Sequence, residues 1–482
     1  MEQVVNMSNA QVNQPGGGHA RRLFYDKCGR CLFIASACLM TLMIFSMIFF
    51  VGKQGLLTLA DVSPVKFFTS AAWDPSAKHF GALSFILGSL ETTLLSVLIG
   101  APLGLLGAIF LSKLAPVPVK RIMRPAVDLY VAIPSVVYGY IGLTLFVPFL
   151  SATWWQTMIH VVLPSAIPGV HGVRAPHPLA RHDSPHPLFH IEEGGRRMMN
   201  AKVQNEIAKI GLWLVGFFIL GLLAAFLGYI LYKGLPVLNL HFIFGKSSDI
   251  LAGGGVGSQL FNSFYMLFLS MAVSIPLALG AGIYLAEYAR ENRLTKCIRL
   301  SVESLATVPS IVLGLFGMII FVNQMHLGFS ILGGSLTLVL LNLPMLVRVT
   351  EESIRTVPHD YEEASLALGA TKLQTVFKVI LPSAMPGIIT GITLTAGRAL
   401  GETAILIFTA GTTVSRFLYD TDVMAGGETL AVHLWYLLSA GLVPDRDTIA
   451  NGIGALLILT ILVFNFLLVL PLKYFQRHSV GR

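Results

Sequence analysis

The chain has 482 residues, of which 54% are hydrophobic and only 12% charged, and its formal net charge is +8. A soluble domain carries roughly 25% charged residues, so this composition excludes a surface that faces water on all sides. The apolar residues fall in blocks long enough to cross a bilayer, which needs about 20 residues per helix. These blocks are residues 31–51, 84–111, 126–150, 209–232, 259–288, 300–323, 328–347, 384–409 and 450–472. We therefore expect an all-α polytopic membrane protein.

The start of the chain is polar and is followed directly by the first apolar block. Residues 1–20 are rich in Gln, Asn and Gly and predict a disordered tail. The block after them is too long for a cleaved signal peptide and lacks a small-residue cleavage site, so it predicts a first span. Basic residues lie at the ends of the apolar blocks, as in Arg21 and Arg22 or Lys473 and Arg477. This positive-inside pattern argues against nucleic-acid binding and places the C-terminus in the cytoplasm.

Two features resemble metal sites only superficially. Cys28 and Cys31 form one C-x-x-C pair, with no second pair or nearby His to complete a zinc site. Residues 171–197 hold five of the thirteen His. Prolines within that tract prevent a regular helix that could present ligands. We expect no bound metal.

The chain repeats part of itself. The segment Gly88–Leu111 parallels Asn262–Leu285, and Asp128–Leu143 parallels Glu303–Met318. The string VVLPSAIPG, which ends at Gly169, parallels VILPSAMPG later in the chain. Three matches in the same order indicate two copies of one unit.

The first copy is shorter than the second. Pro134 and Pro164 are 30 residues apart, whereas their counterparts Pro309 and Pro382 are 73 apart, so the first copy lacks 43 residues. Instead of a following span it runs into the His/Pro/Arg-rich tract, which suggests a frame change or recombination. Met198 resembles the original start of a second protein. The predicted division is a tail at 1–20, a truncated copy at 21–170, an aberrant junction at 171–197 and a complete six-span copy at 198–482.

The longest polar segment of the second copy runs from Arg348 to Gly387. Pro358 and Asp360 suit the start of a helix, and the acids that follow suit its first turn, where the helix dipole favours negative charge. Gly369 predicts a break between two short helices. From these residues alone, the segment could be an amphipathic helix that lies on the membrane surface.

The spacing within this segment resembles the EAA loop of ABC importer permeases. That pattern is E-A-A, three residues, G, nine residues, then I-x-L-P; here Ser365 replaces the second Ala and Val379 replaces the Ile. The resemblance implies a type I ABC importer transmembrane domain whose loop docks on a separate ATPase subunit. The residues it assigns to this ATPase-coupling loop are Glu362, Glu363, Ala364, Ser365, Gly369, Val379, Leu381 and Pro382. The first copy keeps only Leu163-Pro164 of the motif, so it has no coupling helix.

The next apolar block contains two charged residues, Arg398 and Glu402, which a continuous helix would place on one face at i and i+4. Ionisable groups at membrane depth cost about 2.5–3.5 kcal/mol each and usually face a cavity or a partner. The planar fork of Arg suits an oxyanion, and a carboxylate favours a ligand that still carries a proton, as phosphate does. A structural ion pair near the membrane boundary is the alternative. We place the candidate substrate pathway at Arg398, Glu402 and Thr403.

The strings SAMPGIITGITLTAGRALGETA and LATVPSIVLGLFG resemble the phosphate-specific permeases of the Pst system. The match is closest to the PstA-type subunit over 198–482, whereas 21–150 resembles the front of the companion PstC-type subunit. The resemblance implies a multi-pass protein of the bacterial cytoplasmic (inner) membrane, in contact with lipid. The implied partners are inorganic phosphate, a companion PstC-like permease, a PstB-like ABC ATPase and a periplasmic PstS-like phosphate-binding protein. It also implies that ATP and Mg bind the ATPase, so this chain carries no cofactor and is not itself an enzyme.

Three other functions stay open at this point. A permease for another oxyanion, sulfate or molybdate, would have the same architecture. An ion-coupled secondary transporter also has internal repeats but needs no ATPase. A fused chain that lacks one coupling helix could also be inert. ATP hydrolysis by the chain itself is not expected, because neither Gly245-Lys246-Ser247 nor the glycines at 253–257 complete a P-loop.

Overall fold

The structure is a computed structural model that describes residues 17–77, 79–121, 123, 127, 133–148, 194–248, 252–415 and 417–479. Residues 1–16 of the predicted tail and 171–193 of the predicted junction lie outside this part of the chain. The described residues are helical apart from loops and one short hairpin, in which β1 (Trp73–Asp74) pairs antiparallel with β2 (His79–Phe80). The predicted all-α class is confirmed.

The helices are numbered in chain order. They are α1 (Gly17–Asp61), α2 (Pro64–Thr69), α3 (Leu83–Ile109), α4 (Ser135–Ile141), α5 (Gly194–Gly234), α6 (Leu240–Phe244), α7 (Gly257–Ile283), α8 (Arg293–Thr307), α9 (Ser310–Gly317), α10 (Ile331–Arg355), α11 (His359–Ala367), α12 (Lys372–Thr375), α13 (Leu381–Leu400), α14 (Ala404–Thr409), α15 (Leu430–Ala440) and α16 (Arg446–Ser479). Five π-helical turns extend α3, α4, α7, α9 and α12, namely Phe110–Leu114, Gly142–Phe146, Tyr284–Tyr288, Met318–Gln324 and Val376–Ile380. A 3-10 turn, Leu235–Val237, follows α5.

Seven helical segments of the described chain are long and apolar enough to cross a membrane. They are Phe24–Leu57, Leu83–Leu114, Asn205–Val237, Gly257–Tyr288, Ile331–Arg355, Lys372–Leu400 and Arg446–Leu467. A bent pair, Thr295–Thr307 with Ser310–Gln324, makes an eighth if it counts as one span. With that pair, six of the spans fall within 198–482, as predicted. Of the span predicted at 126–150, the structure describes the short apolar helix Ser135–Phe146.

Two of the predicted spans are not single straight helices. The block 300–323 bends by 100° between α8 and α9. Val308 is extended there, since the residue before a proline is pushed out of the helical region, and Pro309 cannot donate a backbone hydrogen bond. The block 384–409 is also divided, because α13 ends at Leu400 and α14 begins at Ala404. The prediction of one continuous helix was wrong in both places.

The chain divides into two compact units. Unit 1 consists of Met1–Ala82, Asp128–Val136 and Ile230–Arg482, and unit 2 of Leu83–Val127 and Val137–Tyr229. The span α1 thus belongs with the later part of the chain, although its sequence lies in the first copy. The division at 170 and 198 concerns the origin of the chain and stays a prediction.

Unit 2 has a small core around Phe110. The ring of Phe110 is 1% exposed and meets Trp213 edge-on, with 4.8 Å between the ring centroids. Gly216 permits this approach, because a Cβ there would lie 2.7 Å from the Phe110 ring. Most other apolar side chains of α3 are exposed, which suits a surface that faces lipid.

Unit 1 has the larger core, with α7 and α10 at its centre. Small residues let these two helices approach closely: a Cβ on Gly282 of α7 would lie 2.6 Å from Thr350 of α10. Leu343 and Val347 of α10 are fully buried in the contact. The last two turns of α10, from Arg348 to Arg355, are the start of the polar segment that continues to Gly387.

Candidate functional site

The predicted ATPase-coupling loop lies within residues 358–382, which are called the coupling segment below. This segment forms two short helices with a break between them. Helix α11 begins at His359 directly after Pro358, and its first turn carries Asp360 and Glu362. Gly369 follows with φ of 81°, in the left-handed region that favours glycine. Thr371 and Gln374 then form a reciprocal capping box that starts α12. The break expected from Gly369 is therefore present.

One lysine ties the segment to the packed core. The Lys372 ammonium lies 2.5 Å from Glu287 Oε2, on the π-helical turn after α7, and also contacts Glu362 Oε1 on α11. The two carboxylate side chains are only 10% and 15% exposed. Such charges are stable in this position only if they are paired. The three side chains line a cavity of about 590 Å³ between α7, α10 and α11.

The remaining coupling-loop residues lie on both sides of the break. Glu363 points into solvent, with its carboxylate 3.3 Å from His359 Nδ1, and Ala364 is exposed beside it. The Ser365 hydroxyl lies 2.9 Å from that of Thr375, so it links α11 to α12. Past α12, Val379 and Leu381 are half-buried and Pro382 is exposed at the start of α13. The structure thus brings Glu362, Ser365 and α12 together and leaves the face with Glu363 and Ala364 uncovered.

A second charge network holds α8 to α10 next to this segment. Arg299 Nε lies 3.0 Å from Glu351, which also lies 3.0 Å from Arg355 Nη2. Arg299 Nη1 donates to Glu291 at 2.7 Å, and this hydrogen bond holds the pKa of the Glu291 carboxyl below its usual value. The network fixes α10 at the point where the coupling segment begins.

The charged pair of the candidate substrate pathway is arranged differently from the prediction. Arg398 is exposed in the last turn of α13, whereas Glu402 lies beyond the end of that helix at Leu400. Glu402 Oε1 instead accepts from the backbone N–H of Ile405 at 3.4 Å. Within the described residues, Arg398 has no ion pair with Glu402 or any other carboxylate. The i, i+4 pair on one helical face was therefore wrong, because Gly401 ends the helix between its members.

The turn between α13 and α14 is closely packed. Thr403 is buried, and its hydroxyl donates to the Gly401 carbonyl at 3.4 Å. A Cβ on Gly401 would lie 2.7 Å from Pro134, a residue of the first copy. This contact leaves no room for a side chain at position 401 and fixes where α13 ends relative to Arg398.

A buried polar network that was not predicted from the sequence lies at the other end of α7. Glu428 and His433 are fully buried, with Glu428 Oε1 2.7 Å from His433 Nδ1. Gln259 Nε2 donates to the same Glu428 oxygen at 2.9 Å, and Asn262 Nδ2 donates to the Glu428 carbonyl at 3.1 Å. The sequence signal was an acid and a histidine beside the apolar run of α15. The network joins the loop before α15 to the first turns of α7.

Comparison with known proteins places the later part of the chain in one family. Residues 278–479 match the family model of the binding-protein-dependent transport system inner membrane component. The chain is 46% identical over 277 residues to the probable ABC transporter permease protein YqgI of Bacillus subtilis (strain 168). This alignment covers 55% of this chain and 94% of the Bacillus subtilis protein. It is 34% identical over 209 residues to the phosphate transport system permease protein PstA of Pasteurella multocida (strain Pm70), covering 43% and 74%.

A more distant similarity is found among solved structures. The inward-facing MetNI methionine ABC transporter in its CY5 native crystal form aligns with 46% of this chain and 94% of that chain, at 20% identity and a TM-score of 0.37. The family itself rests on the sequence matches, which cover nearly all of the Bacillus subtilis relative. The chain belongs to the family of binding-protein-dependent transport system inner membrane components, the permeases of ABC transporters.

Proposed function

We propose that this chain is the PstA-like permease subunit of an ATP-driven importer of inorganic phosphate. Several similar proteins carry the name phosphate transport system permease protein PstA. An exposed guanidinium at the end of α13, without a carboxylate partner in the described part of the chain, is suited to an oxyanion that it can bind through two parallel hydrogen bonds. The candidate substrate residues are Arg398 and Thr403, with Glu402 in a separate position.

The observation that carries the proposal is the outward face of α11. All residues of α11 except Glu362 and Ser365 are exposed, and Leu368, directly after the helix, is 90% exposed. A helix held on one side by Lys372 and uncovered on the other suits docking into a groove of a separate ATPase. Because its backbone is anchored at both ends, α11 would transmit a displacement of the ATPase as a rigid body.

The rest of the assembly follows from this role. ATP and Mg would bind the ATPase, while this chain would contribute the pathway and the docking helix. We further propose a companion PstC-like permease, a periplasmic phosphate-binding protein and an orientation with the C-terminus and α11 in the cytoplasm. Basic residues follow the turn that carries Glu287, the partner of Lys372, and favour this orientation; they are Arg290, Arg293 and Lys296.

The experiment is uptake of radiolabelled phosphate by a strain that lacks its own PstA-type permease and supplies the other subunits. Expression of the chain should restore uptake that depends on ATP and is competed by unlabelled phosphate. Competition by sulfate or molybdate alone would instead favour another oxyanion, and uptake without the ATPase would favour a secondary transporter. No uptake, with the protein present in the membrane, would favour an inert fusion product.

A further inference from the structure

The amino-terminal end of α1 contacts the coupling segment directly. Asp26 Oδ1 accepts a hydrogen bond from the backbone N–H of Leu373 at 2.8 Å. Leu373 lies in the first turn of the helical segment Lys372–Leu400, where backbone N–H groups have no partner within the helix. A carboxylate at this position satisfies one of these groups and interacts favourably with the helix dipole.

The contact continues along one side of α1. Gly29 lies one turn after Asp26 and touches Leu373 so closely that a Cβ would be 2.4 Å from Leu373 Cδ1. Phe33, one turn further, is 3% exposed in a cluster that includes Val376 and Ile380. Its ring lies 6.1 Å from that of Phe377. Three successive turns of α1 are therefore fitted to the second helix of the coupling segment.

The same side of α1 is also packed against α7. A Cβ on Gly280 would lie 2.5 Å from the Ser36 hydroxyl oxygen. Further along, Ala37, Met40 and Ile44 are buried in the main core of unit 1. The helix α1 thus touches both the core and the coupling segment, although its sequence belongs to the copy that has no coupling helix of its own.

We infer that α1 is a brace that moves with the coupling segment as one rigid body, and that Asp26 is a positioning residue for energy coupling. This inference rests on the proposed function, because it assumes that α11 and α12 receive the motion of an ATPase. It adds a segment outside residues 198–482 to the parts of this chain that transport requires. The brace comes from residues 24–47, and the packed core of unit 1 is incomplete without it.

A disulfide between α1 and α12 tests the rigid-body claim. The variant is Gly29→Cys with Leu373→Cys, in full-length chain whose Cys28, Cys31, Cys38 and Cys297 are replaced by Ser. We expect the disulfide to form on mild oxidation, and phosphate uptake by the oxidised sample to stay within about twofold of the reduced sample, since packed elements move as units. Uptake that is lost on oxidation and regained on reduction would overturn the inference. Failure of the two cysteines to cross-link would overturn the contact itself.

Substitution of Asp26 tests its positioning role. Asn can still accept the hydrogen bond from Leu373, whereas Ala cannot. We expect Asp26→Ala to lower the phosphate imported per ATP hydrolysed by about fivefold, the factor that loss of one ordinary hydrogen bond produces in an equilibrium. We expect Asp26→Asn to import as much phosphate per ATP as the unmodified chain. The control Cys28→Ser, at an exposed residue close to Asp26, should do the same. An unchanged ratio in Asp26→Ala would contradict the inference.

The two experiments also separate this inference from the proposed function. If the unmodified chain imports no phosphate, the proposed function fails, and the cross-linking yield still decides whether α1 contacts α12. If the unmodified chain imports phosphate and Asp26→Ala imports the same amount per ATP hydrolysed, the positioning role of Asp26 is rejected and the proposed function stands. A misfolded Asp26→Ala variant, recognised by its absence from the membrane, leaves the decision to the disulfide variant.

Discussion

Lys372 and Glu287 form an ion pair of 2.5 Å that connects the coupling segment to the end of α7. The same ammonium contacts Glu362 on α11, so one side chain joins two helices and a π-helical turn. Both carboxylates are mostly shielded from water, and in the described part of the chain the next basic group is the His359 imidazole, 3.7 Å from Glu362 Oε2. Lys372 therefore joins α11 to the core, in addition to the contact between the Ser365 and Thr375 hydroxyls.

Lys372→Met should release α11 from the core. The substitution keeps the length of the side chain but leaves two nearly buried carboxylates without their partner, at a cost of about 1–3 kcal/mol. We expect weaker co-purification of the ATPase with the variant and lower phosphate uptake, with the protein still present in the membrane.

The matched control for this change is Lys378→Met, because Lys378 lies in the same segment with an exposed side chain. It should leave co-purification and uptake unchanged. Equal behaviour of the two variants would contradict a specific role for Lys372 in holding α11.

Gly369→Ala tests the break between α11 and α12. A Cβ at this position meets no atom within 4 Å, so any effect comes from the backbone alone. With φ of 81°, a residue other than glycine costs about 1–2 kcal/mol. We expect reduced uptake and a less tightly bound ATPase, whereas Gly369→Asn should be milder because Asn tolerates this conformation better.

The control is Gly228→Ala in α5, a glycine that also has open space around its Cβ but has an ordinary helical backbone. That change should be neutral or slightly stabilising. If Gly369→Ala behaves like the control, the left-handed turn has no part in coupling.

The break at Gly369 could be predicted from sequence because a glycine after an amphipathic stretch is a local signal. The six spans of 198–482 could also be predicted, since each depends on a continuous run of apolar residues. The bend at Pro309 was missed because the hydropathy of 300–323 is continuous across it. The end of α13 was missed because it depends on the close approach of Pro134 to Gly401, two residues far apart in the chain.

Among the site residues, too, local signals could be predicted and contacts between distant parts of the chain could not. The two carboxylate partners of Lys372 could not be predicted from the sequence around it. Glu287 lies 85 residues away from it and Asp26 lies 347 residues from Leu373. Contacts of this kind are set by packing between helices, which a pattern along one segment does not contain.

Arg398→Ala should nearly abolish phosphate uptake while the ATPase still co-purifies. Loss of hydrogen bonds from a charged donor costs about 1.5–3 kcal/mol, which corresponds to roughly a 10- to 100-fold decrease in anion affinity. Arg398→Lys should retain part of the uptake, because it keeps the charge but not the planar fork. Normal uptake by Arg398→Ala would remove this residue from the substrate pathway.

The substitution Glu402→Gln tests whether Glu402 acts independently of Arg398, as in the structure, or as its partner, as predicted from the sequence. Among the described residues, the Glu402 carboxylate makes one long hydrogen bond, from the Ile405 backbone N–H, which a glutamine oxygen can also accept. We expect uptake within about twofold of the unmodified chain, since no charge of Arg398 is left unpaired by the change. A loss as large as that of Arg398→Ala would indicate that the two residues act together during transport.

His433→Ala should be the most destabilising of these substitutions. It leaves the fully buried Glu428 side chain without the imidazole at 2.7 Å, and an unsatisfied buried polar group costs about 1–3 kcal/mol in addition to the cost of the cavity left by the ring. The Gln259 amide donates to the same oxygen but does not fill that cavity. The midpoint temperature of unfolding in detergent should fall strongly, whereas replacement of the exposed His241 by Ala should change it little.

The double variant Glu428→Gln with His433→Ala completes the test. Because it alters both members of the contact, it should be less destabilised than the sum of the two single variants, which gives a favourable coupling between the two residues. Additive effects would contradict a direct interaction between the two side chains and would leave His433 as a packing residue only. A coupled result would instead indicate that this pair holds the loop before α15 against the first turns of α7, on the opposite end of α7 from Glu287 and Lys372.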